Sequence, residues 1–347
     1  MNYVDVIKHL QIETTTYCNS FCPGCSRNIN GGELNPHIEL EHMNIDTWKK
    51  LFEEGIIKSL SLNGTFGDPL MTPSIIPMLK ELADMNVIDD MVSVHTNGGM
   101  RSEKFWYDLS KVLQRFKKHE VVFGIDGLAD THSIHRRGTD FNKVINNAKI
   151  YIEAGATATW RMIVFDHNVH QVADCKELAR ELGFKYFSLK PSYDKTLYAK
   201  KYKQLPEATL TRPATKVFNE LLKYEENFYR MSNHFQPGEY KTEEFNNPKD
   251  CPWLHNLSLQ VDAKGRVWPC CYISDDGNNK VKQTMWSLNS LYKKFSEDFN
   301  NINKHSLKEI LSHKFFTKHM DNVWNKKSSQ LCEWCVNRDL TFYKAKA

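Results

Sequence analysis

The chain has 347 residues, 41% hydrophobic and 25% charged, with a formal charge of +4, which suits one large α/β domain plus a smaller module and excludes a disordered chain. Its Lys and Arg residues are spread out, which argues against a nucleic-acid binder's basic stripe. No apolar run is long enough to span a bilayer, and the opening MNYVDVIKHLQIETTT lacks the charged start and apolar stretch of a secretion signal. A cytoplasmic protein with reduced thiols is expected, and its nine cysteines then point to metal ligation or catalysis before disulfides.

Over residues 1–190 one pattern repeats: a short β-rich run, a turn, then an amphipathic helix. Strands are predicted at HLQIETT, KSLSLNG, MVSVHTNG, EVVFGIDG, TATWRMIVF and FKYFSLK. Helices are predicted at IDTWKKLFEEGI, PSIIPMLKELADM, SEKFWYDLSKVLQRF, DFNKVINNAKIYIEAGA and NVHQVADCKELARELG. In the fourth helix Phe141, Val144, Ile145, Ala148 and Ile152 share one face. Asp46 is expected to cap the first helix and Gly183 to end the last. Cys175, inside a helical pattern, is expected in the core. Six βα units in series imply a parallel sheet, curled by right-handed crossovers into a partial (β/α)6 TIM-like barrel. Function in such folds sits in loops after the C-terminal ends of the strands. The stretches TTTYCNSFCPGCSRN, NGTFGDP, HTNGG and GIDGL all fall there.

Residues 191–250 differ, being rich in Lys, Glu, Tyr and Asn. TKVFNELLKYEENFYRM reads as a helix and HFQPGEYKTEEFNNPKD as a loop, together a connecting arm. Residues 251–347 form a second cysteine-bearing module. LSLQVDAKGRVWPCC reads as a hairpin turning at Asp-Ala-Lys-Gly, SLKEILSHKFFTKHM as helix, and CEWC closes the module.

Cys18, Cys22 and Cys25 follow the pattern Cys-x-x-x-Cys-x-x-Cys. Nine randomly scattered cysteines would give such a triplet on the order of 0.006 times per chain. A structural zinc site takes four ligands, commonly as two pairs. Three thiolates from one loop suit a 4Fe–4S cubane whose fourth iron stays open to a small molecule. The triplet resembles the signature of the radical S-adenosylmethionine (SAM) enzymes, and four further stretches resemble that family's motifs in the expected order. In NGTFGDPLMTP the resemblance implies that Gly67 and Asp68 meet the SAM amino group. In VSVHTNG it implies polar contacts from Thr96 and Asn97. In FGIDGLADTHSIHRRG it implies Asp126 at a strand end and either Arg136 or Arg137 on the SAM carboxylate. In FDHNVHQV it implies Asn168 near the ribose. Two positions depart from the family's pattern: Gly24 replaces an aromatic residue, and Gly124 a serine. The bland alternatives are turn chemistry for HTNGG and GIDGL, and a helix cap for Asp68.

Cys251, Cys270, Cys271, Cys332 and Cys335 supply one candidate more than a four-ligand site needs. Their layout resembles the Twitch module, a shortened relative of the SPASM extension. The resemblance implies an auxiliary 4Fe–4S cluster on Cys251, Cys270, Cys332 and Cys335, with Cys271 left over because adjacent strand residues point apart. A zinc knot on the same four thiolates is the alternative.

The resemblance implies SAM and two 4Fe–4S clusters as cofactors, with a reductant such as flavodoxin or ferredoxin. It implies a 5′-deoxyadenosyl radical that abstracts hydrogen from an unactivated carbon, and an electron relayed through the auxiliary cluster. The first reading is small-molecule oxidation or epimerisation. A start so close to the first strand leaves no room for a fused peptide-recognition domain, which ranks a maturase of a ribosomally made peptide second. A non-catalytic iron–sulfur scaffold is third. Trp160, Arg161, Lys190 and Tyr193 are candidate substrate-lining residues, and no catalytic acid or hydrogen donor is assigned.

Overall fold

The computed structural model describes residues 7–23, 25–29, 32–53, 55, 57–191, 251–255, 257–278 and 286–326. The helix and loop predicted within 191–250, Tyr193 and the closing CEWC lie outside the described residues.

All six predicted βα strands are present. β1 (His9–Ile12) leads into the cysteine loop, which is followed by a two-stranded ribbon, β2 (Asn28–Ile29) and β3 (Glu33–Leu34). β4 (Ile57–Leu62), β5 (Ile88–Thr96), β6 (Lys118–Gly124), β7 (Ala158–Val164) and β8 (Tyr186–Pro191) then lie side by side. Each is parallel to the one before it, and β4 is parallel to β1.

Alternation splits this sheet into two unlike faces. Leu10, Ile12, Leu60, Leu62, Val92, Val94, Val121 and Phe123 are buried in one core with the helices. Apart from Val122, the residues between them are polar, and polar side chains on this face bond to one another. His9 Nδ1 meets Ser59 Oγ at 2.8 Å, Thr159 donates to Glu120 at 2.8 Å, and Arg161 reaches His95 Nδ1 at 2.8 Å. Arg161 therefore lies on the polar face. Trp160 does not line anything: it is fully buried, its ring packs on Phe184, and its Nε1 donates to the Ile125 carbonyl at 2.9 Å.

The helices cover the apolar face. In α1 (Ile45–Lys50) the cap is Asn44, not Asp46; Asn44 Oδ1 accepts from the Asp46 N–H at 2.8 Å. The predicted run to residue 56 stops early, because Leu51 and Phe52 bond back three residues, to Trp48 and Lys49, and tighten the end of the helix. α2 (Ile75–Met85) buries Ile75, Met78, Leu79 and Leu82. α3 (Glu103–Leu113) is capped by Ser102. α4 (His132–His135) is a single turn. α5 (Phe141–Glu153) is capped by Asp140 and buries Val144 and Ala148, while Phe141, Ile145 and Ile152 of the predicted face pack beside them. α6 (Val172–Glu181) buries Cys175 as expected, and Gly183 follows its end with φ +81°.

The C-terminal hairpin forms as predicted, with β9 (Ser258–Val261) antiparallel to β10 (Val267–Trp268). Gly265 turns the chain at φ +78° and its N–H donates to the Asp262 carbonyl at 2.9 Å. The hairpin also continues the main sheet, since β9 pairs parallel with β1 from His9–Ser258 to Ile12–Val261. The result is an open eight-stranded sheet in the order β10-β9-β1-β4-β5-β6-β7-β8. Helices at Leu288–Phe295, Leu307–Ser312 and Met320–Lys326 follow, the second opened by a Ser306–Glu309 capping box. Among the described residues no helix is long and apolar enough to cross a membrane.

Candidate functional site

The four sequence stretches do meet at one end of the sheet. Beyond β1 the chain runs through Thr14–Tyr17 into the cysteine loop. The NGTFGDP segment after β4 packs straight onto this lead-in. A Cβ at Gly67 would stand 1.9 Å from the Thr15 carbonyl oxygen, and the Asp68 N–H donates to the Tyr17 carbonyl at 2.9 Å. Gly67→Ala should therefore force two backbones apart and cost about 1–3 kcal/mol of unfolding free energy, read by urea denaturation.

Asp68 caps the 3-10 turn Pro69–Met71 through the Leu70 N–H at 3.0 Å. Its other oxygen accepts from Thr96 Oγ1 at 2.9 Å and from the Asn97 N–H at 2.7 Å. The carboxylate thus braces the end of β5 against the end of β4. Burial pushes it up to about 6 against these donors. Asn97 in turn reaches the cysteine loop, its amide lying 3.7 Å from Cys18 Sγ and donating to Asn19 Oδ1 at 2.8 Å.

After β6, Asp126 is fully buried. It accepts from Arg136 Nε at 2.6 Å, His135 Nδ1 at 2.7 Å and the Ile163 N–H at 2.7 Å. Burial alone would raise this carboxyl, but Arg136 and then His135 hold it well below the usual carboxylate range. The Arg136 guanidinium lies over Gly124, where a Cβ would come within 2.7 Å of Nη2. The small residue at 124 thus leaves the arginine its place. Burial would lower Arg136, yet Asp126 and then the nearby Cys22 sulfur hold it above its ordinary value. Arg137 acts differently: its carbonyl accepts from the Phe21 N–H at 2.7 Å and Ser20 Oγ at 3.0 Å. The side chain facing Asp126 and the cysteines is Arg136, and Arg137 anchors the loop by main chain. Asn168, also fully buried, donates both amide hydrogens to carbonyls, those of Asp126 and Ile163, and accepts from the Phe165 N–H. It ties the end of β7 to that of β6.

The sequence matches the Radical SAM superfamily model over residues 12–186 and the SPASM model, an iron–sulfur cluster-binding domain, over 251–337. The chain belongs to the radical SAM superfamily. Among the solved structures that share its fold are three informative ones. SuiB of Streptococcus suis bound to its precursor peptide SuiA is 18% identical at a TM-score of 0.53, over 81% of this chain and 63% of that one. SuiB bound to S-adenosylmethionine is 16% identical at 0.59, over 94% and 72%. Native anSMEcpe with bound AdoMet and the Cp18Cys peptide is 16% identical at 0.52, over 94% and 87%. The chain thus spans less than two thirds of the SuiB chain in the peptide complex. No curated protein matches it.

Radical SAM and SPASM domains together bring SAM, a SAM-binding 4Fe–4S cluster and an auxiliary cluster. The donor chemistry of the first loop fits such a cluster. Burial pushes the Cys18 and Cys25 thiols up to about 12, so a cation must draw their protons off. Among the described residues no three His, Cys, Asp or Glu side chains close around a single ion. A cubane asks for a wider set, because each thiolate takes its own iron. Of the second set, Cys251 precedes the short helix Pro252–His255, and Cys270 follows β10 with its sulfur accepting from the Ile273 N–H. Cys271 opens the helix Cys271–Asn278 instead of lying on the strand, so strand alternation is not what separates it from Cys270. Cys332 and Cys335 lie outside the described residues.

Sequence reasoning missed the histidines of α4. His132 Nδ1 accepts from the Asp126 N–H at 3.3 Å. Its Nε2 lies 3.0 Å from Thr139 Oγ1, whose own hydrogen goes to the Arg136 carbonyl. The ring is therefore held neutral with its proton on Nε2, and burial lowers it to about 4. The sign follows. Below pH 6.5 the unfolded chain takes a proton that the folded ring refuses, so stability falls as the pH drops from 6.5 toward 4. Between pH 6.5 and 5 this group should cost about 2 kcal/mol, read as a shrinking advantage over His132→Gln in urea titrations.

Proposed function

We propose that this protein is a peptide-modifying radical SAM enzyme: it cleaves SAM reductively and abstracts hydrogen from an unactivated carbon of a ribosomally made peptide. The observation that carries the reading is the meeting of the cysteine loop, the Gly67–Asp68 segment, Asn97 and the Asp126–Arg136 pair at one sheet end. The peptide substrate is supported by structures of the same fold holding peptides, SuiB with SuiA and anSMEcpe with Cp18Cys. That support moves the peptide reading ahead of small-molecule oxidation.

Cys18, Cys22 and Cys25 would hold the first cluster, and Cys251, Cys270, Cys332 and Cys335 the auxiliary one. Bound there and reduced by an external one-electron donor, such a cluster would supply the electron for splitting SAM into methionine and a 5′-deoxyadenosyl radical. Gly67 lets backbone approach the SAM amine, and Asp68 and Thr96 keep that loop and the end of β5 in register. Arg136, aligned by Asp126 and His135, offers its charge to the SAM carboxylate. Asn97 orients the Cys18 sulfur, and Asn168 fixes the loop beside the ribose. The Arg137 carbonyl anchors the cysteine loop through Ser20 and Phe21.

The test is anaerobic reconstitution with SAM and dithionite, followed by co-expression with small peptides encoded beside the gene. The reading requires 5′-deoxyadenosine and a modified peptide. A fully reconstituted sample that forms no 5′-deoxyadenosine supports a scaffold, and one that turns over SAM yet modifies no peptide restores the small-molecule reading.

A further inference from the structure

We propose that the cavity between the end of β1 and the C-terminal hairpin takes the positively charged side chain of a lysine or arginine in the peptide substrate. This rests on the peptide reading above and adds the chemistry by which the peptide is chosen.

The cavity measures about 530 Å³, within the range of ligand sites. Glu13, Glu41, Phe66, Asp262, Arg266 and Tyr292 are among its walls. Glu13 is 1% exposed. One of its oxygens accepts from the N–H groups of Phe66 and Gly67. The other, Oε2, is buried with no hydrogen-bond partner. Such an oxygen is normally satisfied in a folded protein, so a group that enters from the cavity is the expected partner. Glu41 stands on the same wall. Its main-chain N–H is bonded to Thr16, but its carboxylate forms no hydrogen bond or ion pair with the described residues.

The remaining charges on the wall are already matched. Asp262 is held by Arg266 and by the Trp268 Nε1, and Glu39 by Lys264. Lys293 sits exposed at the rim. What is left facing inward is two carboxyls. Burial pushes Glu13 up to about 8 and Glu41 up to about 7. Both therefore favour an arriving positive charge, which would lower them again. Neither carboxyl offers an anion a positive partner. A metal ion is poorly served, since no group of three ligating side chains forms among the described residues. An ammonium or guanidinium on a flexible stem reaches Oε2 while its methylenes lie along Phe66. Glu13 also holds the Phe66–Gly67 backbone, so a cation bound there is one loop away from Asp68 and fixes which part of the peptide lies near the site.

Fluorescence anisotropy of the reconstituted protein tests this with labelled trilysine, trinorleucine and triglutamate, and with unlabelled n-butylammonium as a small-cation competitor that should displace trilysine. At physiological salt trilysine should bind at least about tenfold tighter than the other two peptides, and Glu13→Gln and Glu41→Gln should each weaken it about tenfold. Glutamine at 13 keeps the acceptor for Phe66 and Gly67, and Glu41→Gln provides a second variant whose side chain supports no other group. Equal binding of the three peptides, or trilysine binding indifferent to both substitutions, overturns the proposal. If a peptide is modified while trilysine shows no preference, this inference falls alone. If the reconstituted protein turns over SAM yet neither binds nor modifies any peptide, the peptide reading falls and takes the proposal with it.

Discussion

Asp126→Asn should destabilise the chain by about 3–5 kcal/mol, the largest loss expected from any single polar substitution at the site. The carboxylate is wholly buried and bonded to Arg136, His135 and the Ile163 N–H. Asparagine keeps an acceptor for Ile163 but not the charge, so the largely buried Arg136 loses its counter-ion. The predicted loss is the cost of that stranded cation more than the worth of the pair itself. A double variant, Asp126→Asn with Arg136→Gln, should recover part of it, and the recovered part measures the coupling. The pH dependence is distinctive. Because the folded-state carboxyl is held below its unfolded value, its contribution is present above about pH 4 and disappears only in stronger acid. In urea titrations the difference between wild type and variant should not shrink between neutral pH and pH 5. A difference that collapses by pH 5 would mean that Asp126 is not charged in the folded protein. SAM affinity should fall together with stability, since Arg136 is aligned by the same carboxylate.

The strands were legible because burial on one face and polarity on the other imprint a period of two on runs such as KSLSLNG and MVSVHTNG. The site's outline was legible for a related reason: unusual residues placed just after strands converge once the sheet is parallel. The details were not legible, since each turns on competition between neighbours. Asn44 and Asp46 can both cap α1, and only the backbone geometry at 44 decides. Arg136 and Arg137 are equivalent in sequence; the space over Gly124 selects Arg136. Trp160 and Arg161 are adjacent, and strand alternation sends one into the core and the other to the polar face. The pairing of β9 with β1 joins segments far apart in the sequence, which no local pattern encodes. Glu13 gave one signal, a carboxylate directly after the alternating strand β1, and reading it required the cavity on its far side.

Replacing Cys18, Cys22 and Cys25 together by alanine should cut the iron of the reconstituted protein from about eight atoms per chain to about four, and abolish SAM cleavage. The two readouts separate two roles for the sulfurs. If the triplet merely supported the fold, its loss would lower yield and leave iron per folded chain unchanged. If it held a zinc ion, iron would stay constant while one equivalent of zinc disappeared. Only a cluster on these three thiols couples the loss of half the iron to the loss of 5′-deoxyadenosine. The substitution should be tolerated by the fold, because the loop is anchored by groups other than sulfur: the Arg137 carbonyl holds Phe21 and Ser20, and Tyr17 holds Asp68. Loading with iron should therefore stabilise wild type more than the triple variant, which gains only what the auxiliary cluster supplies.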